Sequence, residues 1–136
     1  MRKAVLVGGL ASLGALLVAA GPGNPLAFGR IRAGEWQLRA LDGSASVRRI
    51  CLTDSAELIQ LRHPGMPCSR FVVTNEASLA AVHYTCTGAG YGRTTIRVET
   101  PELIRIESQG LASQAPFLLE VEGRRVGSCG SEEPRR

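Results

Sequence analysis

Four cysteines and two histidines are the side chains of this 136-residue chain best suited to metal, redox or nucleophilic chemistry. Three of them share one stretch, "CLTDSAELIQLRHPGMPC" (51 to 68), which holds Cys51, His63 and Cys68 with Met66, the sole methionine besides Met1. His63, Met66 and Cys68 form a set of soft donors that would suit copper(I). A zinc site would draw on His63, Cys68, His83 or Cys86, yet no pair has the short spacing of the known zinc motifs. The competing use of the cysteines is structural. Cys51, Cys68, Cys86 and Cys129 are an even set without a CxxC, the arithmetic of two disulfides.

Compartment decides between these uses, and the N-terminus speaks to it. Arg2 and Lys3 precede an uncharged run from Ala4 to Ala20, the layout of a secretory signal peptide. Val18-Ala19-Ala20 suits a signal peptidase, giving Gly21 as the new N-terminus. The expected organisation is a signal peptide over 1–20, a flexible linker over 21–33, one β-rich domain over 34–129 and a polar tail over 130–136. An uncleaved anchor is the alternative, because such a run is close to the length that spans a bilayer core of about 30 Å. Export to the periplasm places the cysteines where disulfides form, which favours two bridges over a metal or redox site. If the segment stays uncleaved, the protein is held at the inner membrane, facing the periplasm.

Charge narrows the partners. Sixteen basic residues stand against 12 acidic ones, a formal +4. Without Arg2 and Lys3 the balance is 14 to 12, or +2. No basic stripe interleaved with aromatic residues is present, so no nucleic-acid partner is expected. A membrane partner is expected only for the uncleaved form. What remains is a small apolar ligand or an envelope protein.

The elements that must position these residues read mainly as strands. "GEWQLRAL" (34 to 41) alternates, with Trp36, Leu38 and Ala40 on one side. "DGS" turns it back into "ASVRRIC" (45 to 51). Asp54 with Glu57 three residues on has the form of a capping box, opening a short helix that His63-Pro64-Gly65 ends. "RFVVT", "AAVHYTC", "RTTIRVET", "ELIRIES" and "APFLLEVEG" follow as strands separated by turns. The spacing predicts a mostly β fold: a curved antiparallel sheet or small open barrel of about seven short strands, with one short helix, stapled by disulfides. Its inner face is expected to carry Trp36, Phe71, Val73, Tyr84, Ile96 and Phe117. His83 is expected to point outward. Glu35, Glu99, Glu107, Glu120 and Glu122 alternate with arginines and should pair with them across strands.

No catalytic residue, metal ligand or cofactor site emerges from this pattern. GxSxG and HExxH are absent, and "GAGYG" (88 to 92) reads as a β-turn because a strand follows it. The cysteine pairing is open to three solutions that loop entropy barely separates: closing 51 to 68 gives about 3 kcal/mol and 86 to 129 about 4. A bridge between Cys51 and Cys68 would clamp the helical excursion to the sheet, whereas Cys68–Cys86 would join adjacent strands, which only certain register pairs allow. The expected pairs are therefore Cys51–Cys68 and Cys86–Cys129.

Four segments also carry a resemblance. "GEWQLRA", "CLTD", "VHYTC" and "EGRRVGSC" resemble, in order, the exported proteobacterial domain of unknown function numbered 3617, which shows a G-x-W start, a "CLTPEQ"-like element, two further cysteines and a closing "GRRxGxC". The similarity runs from Gly34 to Cys129 and takes in all four cysteines, Trp36 and Gly127. Asp54 and Ser55 stand where that family has Pro and Glu, and "HPGMPCSRF" is not a general feature of the family, which suggests a subgroup. The resemblance implies a periplasmic or envelope-facing protein and supplies no activity, cofactor or catalytic residue. The leading expectation is a non-enzymatic binding or structural module. The alternative is a small metal-handling protein or hydrolase using the His63–Cys68 loop.

Overall fold

Alternation in "GEWQLRAL" is realised as β1 (Gly34–Ala40), which buries Trp36 and Leu38 and leaves Arg39 exposed. The computed structural model describes residues 23–130. The signal peptide expected over 1–20, its cleavage site and the tail after Gly130 lie outside the described residues. Six more strands follow: β2 (Val47–Leu52), β3 (Ser69–Asn75), β4 (Leu79–Cys86), β5 (Gly90–Thr100), β6 (Leu103–Ala112) and β7 (Ala115–Gly127). All pair antiparallel in one unclosed sheet of order β2-β1-β7-β6-β5-β4-β3. The mostly β fold of about seven strands is the one the chain adopts.

Strands β3 to β7 form a meander, and the β1–β2 hairpin joins it by pairing β1 with β7. Strands β2 and β3, consecutive in sequence, therefore stand at opposite edges. The chain between them must cross a whole face of the sheet. It does so through a 3-10 turn, Ser55–Gln60, at the position where Asp54 and Glu57 announce a helix. The Asp54 carboxylate accepts from the Ala56 N–H at 2.9 Å. Glu57 does not close the box; it accepts from the Thr53 hydroxyl at 3.2 Å. Six residues are too few to hold a helix by propensity alone. Burial of Ala56, Leu58 and Ile59 against the sheet holds this one.

The stretch from Gly23 to Ala33 is not the flexible linker expected of it. Leu26–Arg30 forms a second 3-10 turn, and Ala27, Phe28 and Ile31 enter the core. Their apolar faces cover sheet that the crossover leaves bare. Beneath both turns lie Trp36, Tyr84, Ile96, Ile104 and Val82, all at most 2% exposed. Each such side chain contributes about 1.5–3 kcal/mol by leaving water. The Trp36 indole N–H, which burial would otherwise orphan, donates to the Arg32 carbonyl at 2.9 Å.

Strand β3 reverses the expected phase. Phe71 and Val73 are exposed, and Arg70 and Val72 occupy the inner register beside Tyr84 and Val82. Phe117 is half-buried near the start of β7, against His63 and beneath Arg62. The cysteine pairing also differs from expectation. Cys51 bonds Cys129, and Cys68 bonds Cys86. Cys51 and Cys68 sit at opposite edges of the sheet and cannot meet. The β3–β4 register, with Ser69 opposite Thr85, brings Cys68 opposite Cys86 with Cα atoms 4.2 Å apart. That is the closely spaced type of cross-strand pair, one of the register positions a bridge can use. At the other edge the chain leaves β7 and crosses β1 to reach β2, so Cys129 arrives 5.5 Å from Cys51 by Cα.

Candidate functional site

His63 ends the segment that follows the Ser55–Gln60 turn and points into the protein, 3% exposed. Its Nε2 lies 3.1 Å from the Ala89 carbonyl oxygen. A carbonyl only accepts, so Nε2 carries the proton and donates. Nδ1 is then free to accept from the Tyr84 hydroxyl at 3.0 Å. Burial pushes the Tyr84 hydroxyl above its ordinary range, against smaller downward pulls from a Ser108 hydrogen bond and the charge of Arg62. Tyr84 thus stays a neutral donor. Ser108 bonds Thr94 at 2.7 Å, and Thr94 donates to the Ile59 carbonyl. Among the described residues no buried side-chain nitrogen or oxygen lacks a partner.

The glycines of "GAGYG" make this buried pair possible. A Cβ on Gly90, whose φ is +130°, would come within 2.9 Å of His63 Nε2 and closer still to the Leu111 carbonyl. A Cβ on Gly92 would lie 2.6 Å from the Tyr84 hydroxyl. The segment forms a turn and the start of β5, as its sequence predicts. Its second role, clearing space for two side chains, had no signal in the sequence beyond glycine itself.

The suggested metal sets do not assemble. His63 has both ring nitrogens bonded, Cys68 and Cys86 are joined, and His83 is on the opposite face of the sheet. Among the described residues, no three His, Cys, Asp or Glu side chains come together as a metal-holding group.

On the outer face the expected ion pairs form in part. Glu35 meets Arg49 at 3.4 Å, and Glu99 meets Arg105 at 3.1 Å. Glu122 gathers Arg124 at 3.0 Å, Arg39 at 3.2 Å and Arg105 at 3.6 Å. Desolvation under these side chains pushes the Glu122 carboxyl up. The Arg124 hydrogen bond and the charges of Arg124, Arg39 and Arg105 outweigh it and hold the carboxyl below the usual range. A carboxylate so held joins β1, β6 and β7. Glu107 and Glu120 depart from the expected pattern: they face one another across β6 and β7.

The same face carries an apolar patch toward the β4–β5 and β6–β7 turns. Phe71, His83, Arg93, Gln109 and Leu118 occupy matched register positions across five strands, a row about 19 Å long. Tyr91 and Pro116 lie in the next row. Phe71 is 71% exposed, Leu118 65% and Tyr91 54%. A groove of about 500 Å³ opens beside Tyr91, lined by Gly92, Gly110, Pro116, His83 and Arg93. Its size falls within the range of about 300–1,000 Å³ typical of small-molecule sites. Neither His83 nor Arg93 makes an ion pair or side-chain hydrogen bond among the described residues. A second groove, of about 610 Å³, runs between Gly23–Pro25 and β3. Its one charged group, Arg70, already donates to Gln60 Oε1 at 2.9 Å.

Two disulfides fit an oxidising compartment, and no helix of the described residues is long and apolar enough to cross a membrane. Compared with protein-family models, with curated proteins and with solved structures, the chain finds no match.

Proposed function

We propose that the chain is an exported, disulfide-stapled binding module of the bacterial periplasm, non-enzymatic, whose contact surface is the outer-face groove and the apolar residues beside it. The observation that carries this reading is the division of labour between the two faces. The inner face is spent on the core: Trp36, Tyr84 and Ile96 are packed under the two 3-10 turns. The outer face leaves Phe71, Tyr91 and Leu118 in water around two uncommitted polar groups. Exposed apolar groups gathered on one patch mark contact surfaces more often than chance placement does. The signal-peptide layout and the resemblance to exported family 3617 support the periplasm.

The other reading, a metal-handling protein or hydrolase working through the His63–Cys68 loop, has less to support it. His63 would have to give up two hydrogen bonds, and Cys68 its disulfide. A thermal-shift screen of the oxidised protein against metals, lipids and envelope extracts tests both. Stabilisation lost in Leu118→Asp and Tyr91→Ser supports the outer-face reading. A shift with copper or zinc that His63→Ala abolishes would replace it with the alternative.

A further inference from the structure

We propose that the outer-face groove takes the carboxylate of a single-chain amphiphile, a ligand of the fatty-acid class. The proposal rests on the outer-face reading above and narrows it to one ligand chemistry. Arg93 and His83 stand directly opposite one another on β4 and β5. Both side chains carry N–H donors, and an anion placed between them would accept from the two together. Arg93 is exposed, and no carboxylate of the chain neutralises it. Its guanidinium presents parallel N–H donors that match the two oxygens of one carboxylate. The rest of the groove is apolar: Tyr91 and Pro116 wall it, and Leu118 and Leu111 continue the surface beyond. A ligand matching this order has a single negative head and a hydrocarbon tail.

The neighbouring row argues for one molecule over an anionic bilayer. Glu107 and Glu120 lie two positions from Gln109 and Leu118 along β6 and β7, and both are exposed. A sheet of anionic headgroups laid on this face would meet both carboxylates. A single head placed at Arg93 and His83 avoids them.

Calorimetric titration of the oxidised full chain with decanoate, below its micelle concentration, tests the assignment. One-to-one binding is expected, with decanol at least tenfold weaker and acetate silent. Affinity should rise up to about fourfold per methylene from octanoate to dodecanoate. Arg93→Gln should weaken decanoate at least tenfold and leave decanol unchanged. Arg93 makes no contact the fold needs, so this variant should fold as the parent does. Tyr91→Ser should weaken both ligands. Equal affinity for decanol and decanoate would overturn the carboxylate assignment while leaving the groove as a binding surface. Retention of decanoate binding by Arg93→Gln would overturn the site. Sedimentation with phosphatidylglycerol vesicles but no decanoate binding would overturn the proposal in favour of a membrane surface. Silence towards every ligand would overturn it too, and the thermal-shift screen would still decide whether the face binds something else.

Discussion

Deleting the Cys51–Cys129 bridge should cost more stability than deleting Cys68–Cys86. The first spans 78 residues of sequence and the second 18, nested within it. Bridges stabilise chiefly by restricting the unfolded chain, and the restriction grows with the logarithm of the loop. The inner bridge is then worth about 3.2 kcal/mol, and the outer one about 4.3 once the inner loop is taken out of its length. The difference of about 1 kcal/mol is modest but measurable. Urea unfolding of Cys51→Ser/Cys129→Ser and Cys68→Ser/Cys86→Ser, both oxidised, should give midpoints about 0.7 M apart for an m-value near 1.5 kcal/mol/M. The native sheet supplies a second argument in the same direction: Cys68 and Cys86 are already held opposite by the β3–β4 ladder, so their bridge adds little folded-state order. A Cys68→Ser/Cys86→Ser variant that unfolds at the lower urea concentration would refute both arguments together.

Two further outcomes are expected. Glu122 has a depressed folded-state pKa, so its ionic contribution is full above the ordinary glutamate range and fades as pH falls through the folded value. The gap in urea midpoint between the parent and Glu122→Gln should hold steady from about pH 7 to about pH 5 and close below about pH 4; a gap unchanged at pH 3 would remove the arginine cluster from the account. Mass spectrometry of the periplasmic fraction should find an N-terminus at or near Gly21, and recovery of only the full-length chain in membranes would favour an anchor.

The strands were legible because their neighbours impose alternation. In β1 and β5 one face meets the core and the other meets water, and Trp36, Leu38, Ile96 and Val98 announce it. Strand β3 misleads because it is an edge with little of either face covered, so hydrophobicity alone points Phe71 and Val73 inward. Its true phase is fixed by Cys68: bonded to the inward Cys86, it turns Arg70 and Val72 the same way. The pairing error and the phase error are therefore one error. Position across the sheet, which separates Cys51 from Cys68, depends on β7 entering beside β1, and no local pattern encodes that. The groove was illegible for a similar reason. His83 and Arg93 are ten residues apart in sequence, and only the β4–β5 register sets them side by side.

The strand order has a consequence for how the protein comes into being. β7, the last strand of the described residues, lies between β1 and β6 and is the only one among them to pair with both groups. Until residues 115–127 are available, the β1–β2 hairpin and the β3–β6 meander are two fragments with no ladder between them. A chain emerging N-terminus first from a ribosome or a translocation pore cannot finish its sheet on the way. Completion waits for the last strand, and the contacts it makes span nearly the whole sequence, which slows the search. Cys129 comes two residues after β7, and β7 seated beside β1 holds it against Cys51. Once formed, that bond ties the late strand's end to the early hairpin and holds the completed sheet together at that edge.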